Sequence, residues 1–242
     1  MTYCVGVRLD EGMIFASDSR TNAGIDNFAK FCKMTVFERK GERVIVLLSS
    51  GNLAGTQADH QRVDPTRRRP GQQGVAVERA HHVRHGQSGF RRHARHRTAR
   101  WSVPRSERIS FNASFILGGQ IRGEGQRLFR IYAEGNFIEA GVDTPYIQTG
   151  ETKYGKPLID RVIMGSTRLA DAVKCILVSF DSTMRSNLSV GMPIDLICYE
   201  RDSLEIRMRR RFAEGDTYFT SLHQSWSEGT RRVFRELPEL VW

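Results

Sequence analysis

The sequence predicts an α+β domain built as a layered sandwich, with two β-sheets that carry helices on their outer faces. Three observations predict it. Apolar, β-branched runs come in pairs around short glycine-containing turns early in the chain. Two long stretches of helical spacing follow one another later on. Strands and helices are grouped rather than alternating, which argues against a doubly wound parallel sheet. At 242 residues the chain can bury a sizeable core, and a single domain over 1–242 is expected.

The elements follow in order. Tyr3 to Leu9 and Met13 to Ser17 flank Asp10-Glu11-Gly12, the pattern of a hairpin. A second hairpin is expected from Lys33 to Arg39 and Arg43 to Ser49 around Lys40-Gly41-Glu42; its VIVLL run suits a strand buried on both faces. After a break, ASFILGGQI and RLFRIYAEGNFIEA add sheet from about Ile109, with Glu134-Gly135-Asn136 as a turn. Lys153 to Met164 and Arg168 to about Met184 have helical spacing, and Leu169, Val173, Ile176, Leu177 and Phe180 form one stripe. Strands IDLICYE and LEIRMRR around Arg201-Asp202-Ser203 come next, and a helix from Asp216 to about Leu237 ends the order.

The net charge of +10 would suit a nucleic-acid binder, but its distribution argues otherwise. Residues 59–108 hold thirteen arginines against Asp59, Asp64, Glu78 and Glu107, so the rest of the chain is nearly neutral. The same stretch has six of the seven histidines and no Leu, Ile, Met, Lys or Tyr. Its His81, His82, His85, His93 and His96 lack cysteine or acidic partners at ligand spacing, which disfavours a metal site. An arginine-rich RNA-binding insertion is equally disfavoured. No apolar run approaches the roughly 20 residues of a bilayer span, and the start lacks a secretory pattern, so a soluble cytoplasmic protein is expected. Cys4, Cys32, Cys175 and Cys198 lie far apart and are expected to be reduced thiols without chemistry.

Thr2 directly follows Met1. Removal of Met1 would leave a hydroxyl and a free α-amine on one residue; an α-amine with a pKa of about 7.7–8.0 is partly neutral near pH 7 and can take the hydroxyl proton. A neighbouring lysine would lower that pKa, and a carboxylate would hold the lysine. Asp18 qualifies because the first hairpin returns the chain towards Thr2, and Lys33 stands at the mouth of the next strand. By spacing alone, Asp18 also reads as a solvated turn residue and Lys33 as edge protection.

The run TYCVGVRLDEGMIFASDSRTNAG resembles the opening of mature proteasome β-subunits. Together with GNFIEA, GETKYGKP and DSTMRSNLSVG, it is similar to the ancestral β-subunit family of bacterial proteasome-type proteases, Anbu. The resemblance covers Met1 to about Gly55 and about Phe111 to Trp242. It implies the four-layer αββα sandwich of N-terminal-nucleophile hydrolases and a threonine-type endopeptidase that assembles with copies of itself, as a ring or an open spiral. It implies protein or peptide substrates and no metal or organic cofactor; an unfolding partner is left open. Thr2 would be nucleophile and base, Asp18 would orient the lysine, and Lys33, with Lys30 as competitor, would tune the amine. Gly51 would supply an oxyanion N–H, with Asp181 and Ser189 supporting the site; Ser186 rivals Ser189, and Glu151 stands where many subunits have serine. An inactive assembly subunit and a non-peptide amidase are the alternatives. Many family members carry a propeptide, whereas only Met1 precedes Thr2 here, so activation by a general aminopeptidase is expected.

Residues 59–108 interrupt this resemblance where two amphipathic helices are implied. An Arg-, His-, Pro- and Gly-rich stretch that starts and stops abruptly is what a GC-rich gene yields when read out of frame; the alternative is a segment too poor in apolar residues to pack. Resequencing the gene is expected to return compensating frame changes near Gln57 and Ser110, and an unchanged reading would overturn this explanation.

Overall fold

A computed structural model describes residues 2–22, 28–51 and 113–242. The anomalous stretch 59–108, with its histidine-rich run, lies outside the described residues, as do Gln57 and Ser110.

The first expected hairpin forms as β1 (Tyr3–Arg8) and β2 (Gly12–Asp18). Gly12 is required at its turn because a Cβ there would lie 2.0 Å from the Tyr199 carbonyl oxygen. Two short strands, β3 (Arg20–Asn22) and β4 (Phe28–Lys30), pair with each other. The second expected hairpin is β5 (Met34–Arg39) with β6 (Arg43–Gly51). Then come β7 (Ala113–Ile121), β8 (Arg127–Ile131), β9 (Phe137–Glu139) and β10 (Tyr146–Gly150). Helix α1 (Lys156–Val162) carries proline in its first turn, and α2 (Leu169–Ser186) is the long amphipathic helix. Strands β11 (Ile194–Glu200) and β12 (Met208–Phe212) precede α3 (Thr217–Glu236), which Asp216 caps by accepting from the Phe219 N–H.

Two differences from the sequence reading have local causes. The strand expected from Leu204 starts only at Met208, because Asp202 and Leu204 adopt left-handed backbone and Ser203 Oγ donates to the carbonyls of Glu200 and Glu205. β10 was absent from the expected elements. It pairs antiparallel with β1, Tyr3 opposite Gly150, and so forms one edge of the first sheet.

That first sheet has the order β10-β1-β2-β11-β12, and the second has the order β5-β6-β7-β8-β9; every pairing is antiparallel. Alternation along the strands sorts their side chains. Cys4, Met13, Phe15, Ile197 and Tyr199 of the first sheet meet Val44, Val46, Leu48, Ile116 and Leu128 of the second, forming the inter-sheet core. Tyr3, Val5, Val7, Ile14, Ala16, Ile194 and Leu196 point the other way, against Ile159 of α1, Ile176, Leu177 and Phe180 of α2 and Phe219 of α3. The far face of the second sheet carries Phe37, Ile45, Leu47, Leu117 and Ile131, and no residue of a described helix belongs to that cluster.

The architecture is therefore α+β, with two five-stranded antiparallel sheets and, among the described residues, three helices. None of these helices is long and apolar enough to cross a membrane. Cys4 and Cys175 are buried free thiols, and burial pushes the Cys175 thiol up to about 12.

Phe15 has no exposed surface and lies between the sheets where Gly118 lets the backbone approach its ring. Phe15→Ala is expected to cost about 3–5 kcal/mol, read as a lower urea midpoint with an unchanged slope.

Candidate active site

The site forms where β1 begins. Asp18 ends β2, and the antiparallel register sets Ser17 opposite Cys4, so the Asp18 carboxylate reaches the first residues of β1. Asp18 Oδ1 accepts from the Tyr3 N–H at 2.9 Å and from Lys33 Nζ at 2.6 Å. Both side chains are essentially inaccessible, Asp18 at 0% and Lys33 at 3%. Burial pushes the Asp18 carboxyl up, while the Lys33 ammonium and the N–H groups of Tyr3 and Gly191 pull it back. Lys33 Nζ also donates to the Arg20 carbonyl at 2.7 Å, and its own carbonyl accepts from the Ser49 N–H at 2.9 Å. These contacts hold Lys33 in one orientation.

Thr2 is itself buried, and its carbonyl accepts from the Glu151 N–H at 2.7 Å. Gly150 makes this approach feasible. Its φ is +87°, and a Cβ would lie 1.8 Å from the Thr2 carbonyl oxygen. From below, the Tyr3 hydroxyl fixes β1: it lies 3.0 Å from Ser179 Oγ on α2 and accepts from Gln148 Nε2 at 2.6 Å. Gly155 leaves room for that hydroxyl.

The α2–β11 connection closes another side. Asn187 Nδ2 donates to Glu151 Oε2 at 2.9 Å, and Asn187 Oδ1 accepts from the N–H and hydroxyl of Ser189 at 3.0 and 2.6 Å. Arg20 Nη1 donates to the Leu188 carbonyl at 2.8 Å and pins this segment. Across the sheets, Ser50 and Thr149 hydroxyls share a 2.8 Å bond, which ties the end of β6, with Gly51, to β10. Gly51 has φ +114°, a conformation that favours glycine.

The sequence-derived residues therefore fare differently in geometry. Asp18 and Lys33 are brought together at Asp18 Oδ1, which also accepts from the N–H of Tyr3, the residue after Thr2. Lys30, the competing lysine, is exposed on β4. Ser189 joins the Glu151–Asn187 network, whereas Ser186 is exposed at the end of α2. Asp181 has a different partner: its Oδ1 lies 2.7 Å from His223 Nδ1 on α3, and among the described residues no hydrogen bond joins it to Thr2, Asp18 or Lys33. The side chain that occupies the polar position beside Ser189 is Asn187, which the sequence reading missed; its placement directly after a helix was the available signal. Among the described residues there is no group of three or more His, Cys, Asp or Glu side chains suited to a metal ion.

Comparison with known proteins gives a consistent picture. No protein-family model matches the chain, and no curated protein does. Solved structures do. A Gly-1 mutant of Anbu from Hyphomicrobium sp. strain MC1 is 44% identical with a TM-score of 0.86, covering 100% of both chains. Anbu (ancestral beta-subunit) from Yersinia bercovieri is 42% identical with a TM-score of 0.84, covering 99% of this chain and 100% of the other. The helical assembly of the Anbu complex from Pseudomonas aeruginosa contains a chain 42% identical with a TM-score of 0.84, covering 99% of this chain and 98% of its own. With identity above two-fifths across the whole length and the same fold, this chain belongs to the Anbu family, the ancestral proteasome β-subunits.

Proposed function

We propose that this chain is a threonine endopeptidase that hydrolyses peptide bonds with Thr2 after loss of Met1, working in the cytoplasm within an assembly of its own copies. One observation carries the reading: a single buried carboxylate oxygen, Asp18 Oδ1, receives both the N–H that follows Thr2 and the Lys33 ammonium. A buried ion pair is a costly way to stabilise a fold, and apolar replacements often do as well. Its position beside a potential nucleophile favours a chemical role.

In this reading the neutral Thr2 amine takes the proton of the Thr2 hydroxyl as Oγ1 attacks the scissile carbonyl. The Gly51 N–H stabilises the oxyanion, a contribution of about 3–4 kcal/mol where such donors have been removed. Collapse expels the amine fragment, protonated by the Thr2 ammonium. Water, deprotonated by the same amine, then releases the acid from the Thr2 ester. Lys33 supplies a fixed positive field, and Asp18 keeps it there. Ser189 supports the site through Asn187, and Asp181 contributes by joining α2 to α3.

The fold belonging to this function is the four-layer sandwich. Two sheets and the layer of α1 and α2 account for three layers; the fourth would cover the face of Phe37, Ile45 and Leu117. The helical assembly of the Pseudomonas aeruginosa relative favours an open spiral of copies over a closed ring, the difference being a small rotation between neighbours.

The intact mass of the assembled protein, taken with and without a peptide epoxyketone that condenses with a hydroxyl and free amine on one residue, is expected to show loss of Met1 and one adduct on Thr2. Full peptide turnover by Thr2→Ala would rule the mechanism out, and a free Thr2 that never reacts would favour a non-catalytic subunit. Turnover of amides but not peptides would favour the amidase reading. Lys33→Met is expected to strand the Asp18 charge, lowering stability by about 3–5 kcal/mol in chemical denaturation and peptide turnover by about 10²–10⁴-fold.

A further inference from the structure

We propose that the far half of α3 is an arm through which two copies of the chain pair, lying antiparallel about a two-fold axis near Phe234. The inference rests on the reading that the chain assembles with its own copies, and is independent of whether Thr2 cuts peptides.

The apolar stripe of α3 begins inside the domain and then leaves it. Phe219 and Leu222 pack into the core between the first sheet and its helices, and His223 is held by Asp181 of α2. At helical spacing the same stripe continues through Trp226, Gly229, Val233 and Leu237. There it has nothing to pack on: every residue from Thr230 to Trp242 is exposed, with Val233 at 52% and Phe234 at 74%. Apolar side chains scattered singly over a surface need no explanation, whereas a contiguous run of them on one helix face marks a contact. Even so, α3 stays helical to Glu236, about two turns past Gly229. Two turns without a packed face are marginal in water, and the glycine at their base weakens them further. A helix packed along the stripe would supply the missing stability.

The flanks of the stripe select the partner. At about 3.6 residues per turn, Arg232 and Glu236 lie together on one side of it and Phe234 lies on the other. Within one copy Arg232 and Glu236 stand 4.0 Å apart on side chains 72% and 66% exposed, a pair that water screens. Two antiparallel helices related by a two-fold axis set like flank against like flank, so a residue before the axis meets the one equally far after it. With the axis at Phe234, Arg232 of one copy meets Glu236 of the other, twice over. Phe234 meets its own counterpart, and Val233 and Leu237 fill the seam between. The arm is thus complementary to itself in charge and in apolar surface, which a second copy demands and a lipid surface does not.

Sedimentation velocity of the purified chain reads the particle mass. Val233→Asp with Phe234→Asp is expected to reduce that mass by about half, the loss of a two-fold contact, while near-ultraviolet circular dichroism shows the domain still packed. Arg232→Glu sets Glu against Glu across the axis and is expected to weaken association at least about tenfold; adding Glu236→Arg is expected to restore it. A short bis-maleimide is expected to join two copies through Phe234→Cys, and not through Arg235→Cys on the opposite face. An unchanged mass in the double Asp variant would overturn the proposal, as would a charge swap that fails to restore what Arg232→Glu lost. Wild type that sediments with phosphatidylglycerol vesicles, an ability lost in a double Asp variant of unchanged mass, would make the arm a membrane contact instead. A monomeric wild type would sink the assembly reading as well, whereas an assembled wild type with indifferent variants would sink the arm alone.

Discussion

The buried pair between Asp18 and Lys33 constrains everything around it. Two charges at this depth stay ionised only if each is close to the other and held by further hydrogen bonds, here those that Asp18 Oδ1 and Lys33 Nζ make. That requirement fixes β2 against β1 through the Tyr3 N–H, and fixes the start of β5 through the Arg20 and Ser49 contacts of Lys33. Two separate hairpins are thus locked at one point, and the chain's first residues lie directly above it.

Around that point the geometry is set by close approach more than by attraction. Gly150 lets one backbone touch another at Thr2, Gly155 admits the Tyr3 hydroxyl, and Gly118 admits the Phe15 ring. The polar side chains then fill what space is left: Gln148 and Ser179 beneath Tyr3, Thr149 against Ser50, Asn187 between Glu151 and Ser189. These bonds cross between the sheets and between sheet and helix, so the site and the core share one set of constraints.

Much of this was legible in the sequence, and what was not has identifiable causes. The hairpins at Gly12, Gly41 and Gly135 were readable because a glycine marks each turn between β-branched runs. The stripe of Ile176, Leu177 and Phe180 gave α2, and the placement of Lys33 just before MTVFE separated it from Lys30. β10 was hidden because Gln148 and Thr149 look like surface residues; they are buried, and their partners are the Tyr3 hydroxyl and Ser50. Asp181 was assigned through its motif, and its bond to His223 spans 42 residues and two helices, which no local pattern encodes. Asn187 reads as an ordinary helix end until Glu151 is seen against it.

The pairing of β1 with β10 also imposes an order of events during synthesis. Gln148 and Tyr3 are 145 residues apart, yet they share a hydrogen bond. A ribosome emits the first residues long before the strand that encloses them, and contacts of such separation form late. On the nascent chain the first residues are therefore open and unpaired, the state in which the proposed removal of Met1 would act. Once β10 docks, the Glu151 N–H claims the Thr2 carbonyl and Gly150 packs against it. Completion of the sheet edge beside Thr2 is thereby ordered in time by topology alone.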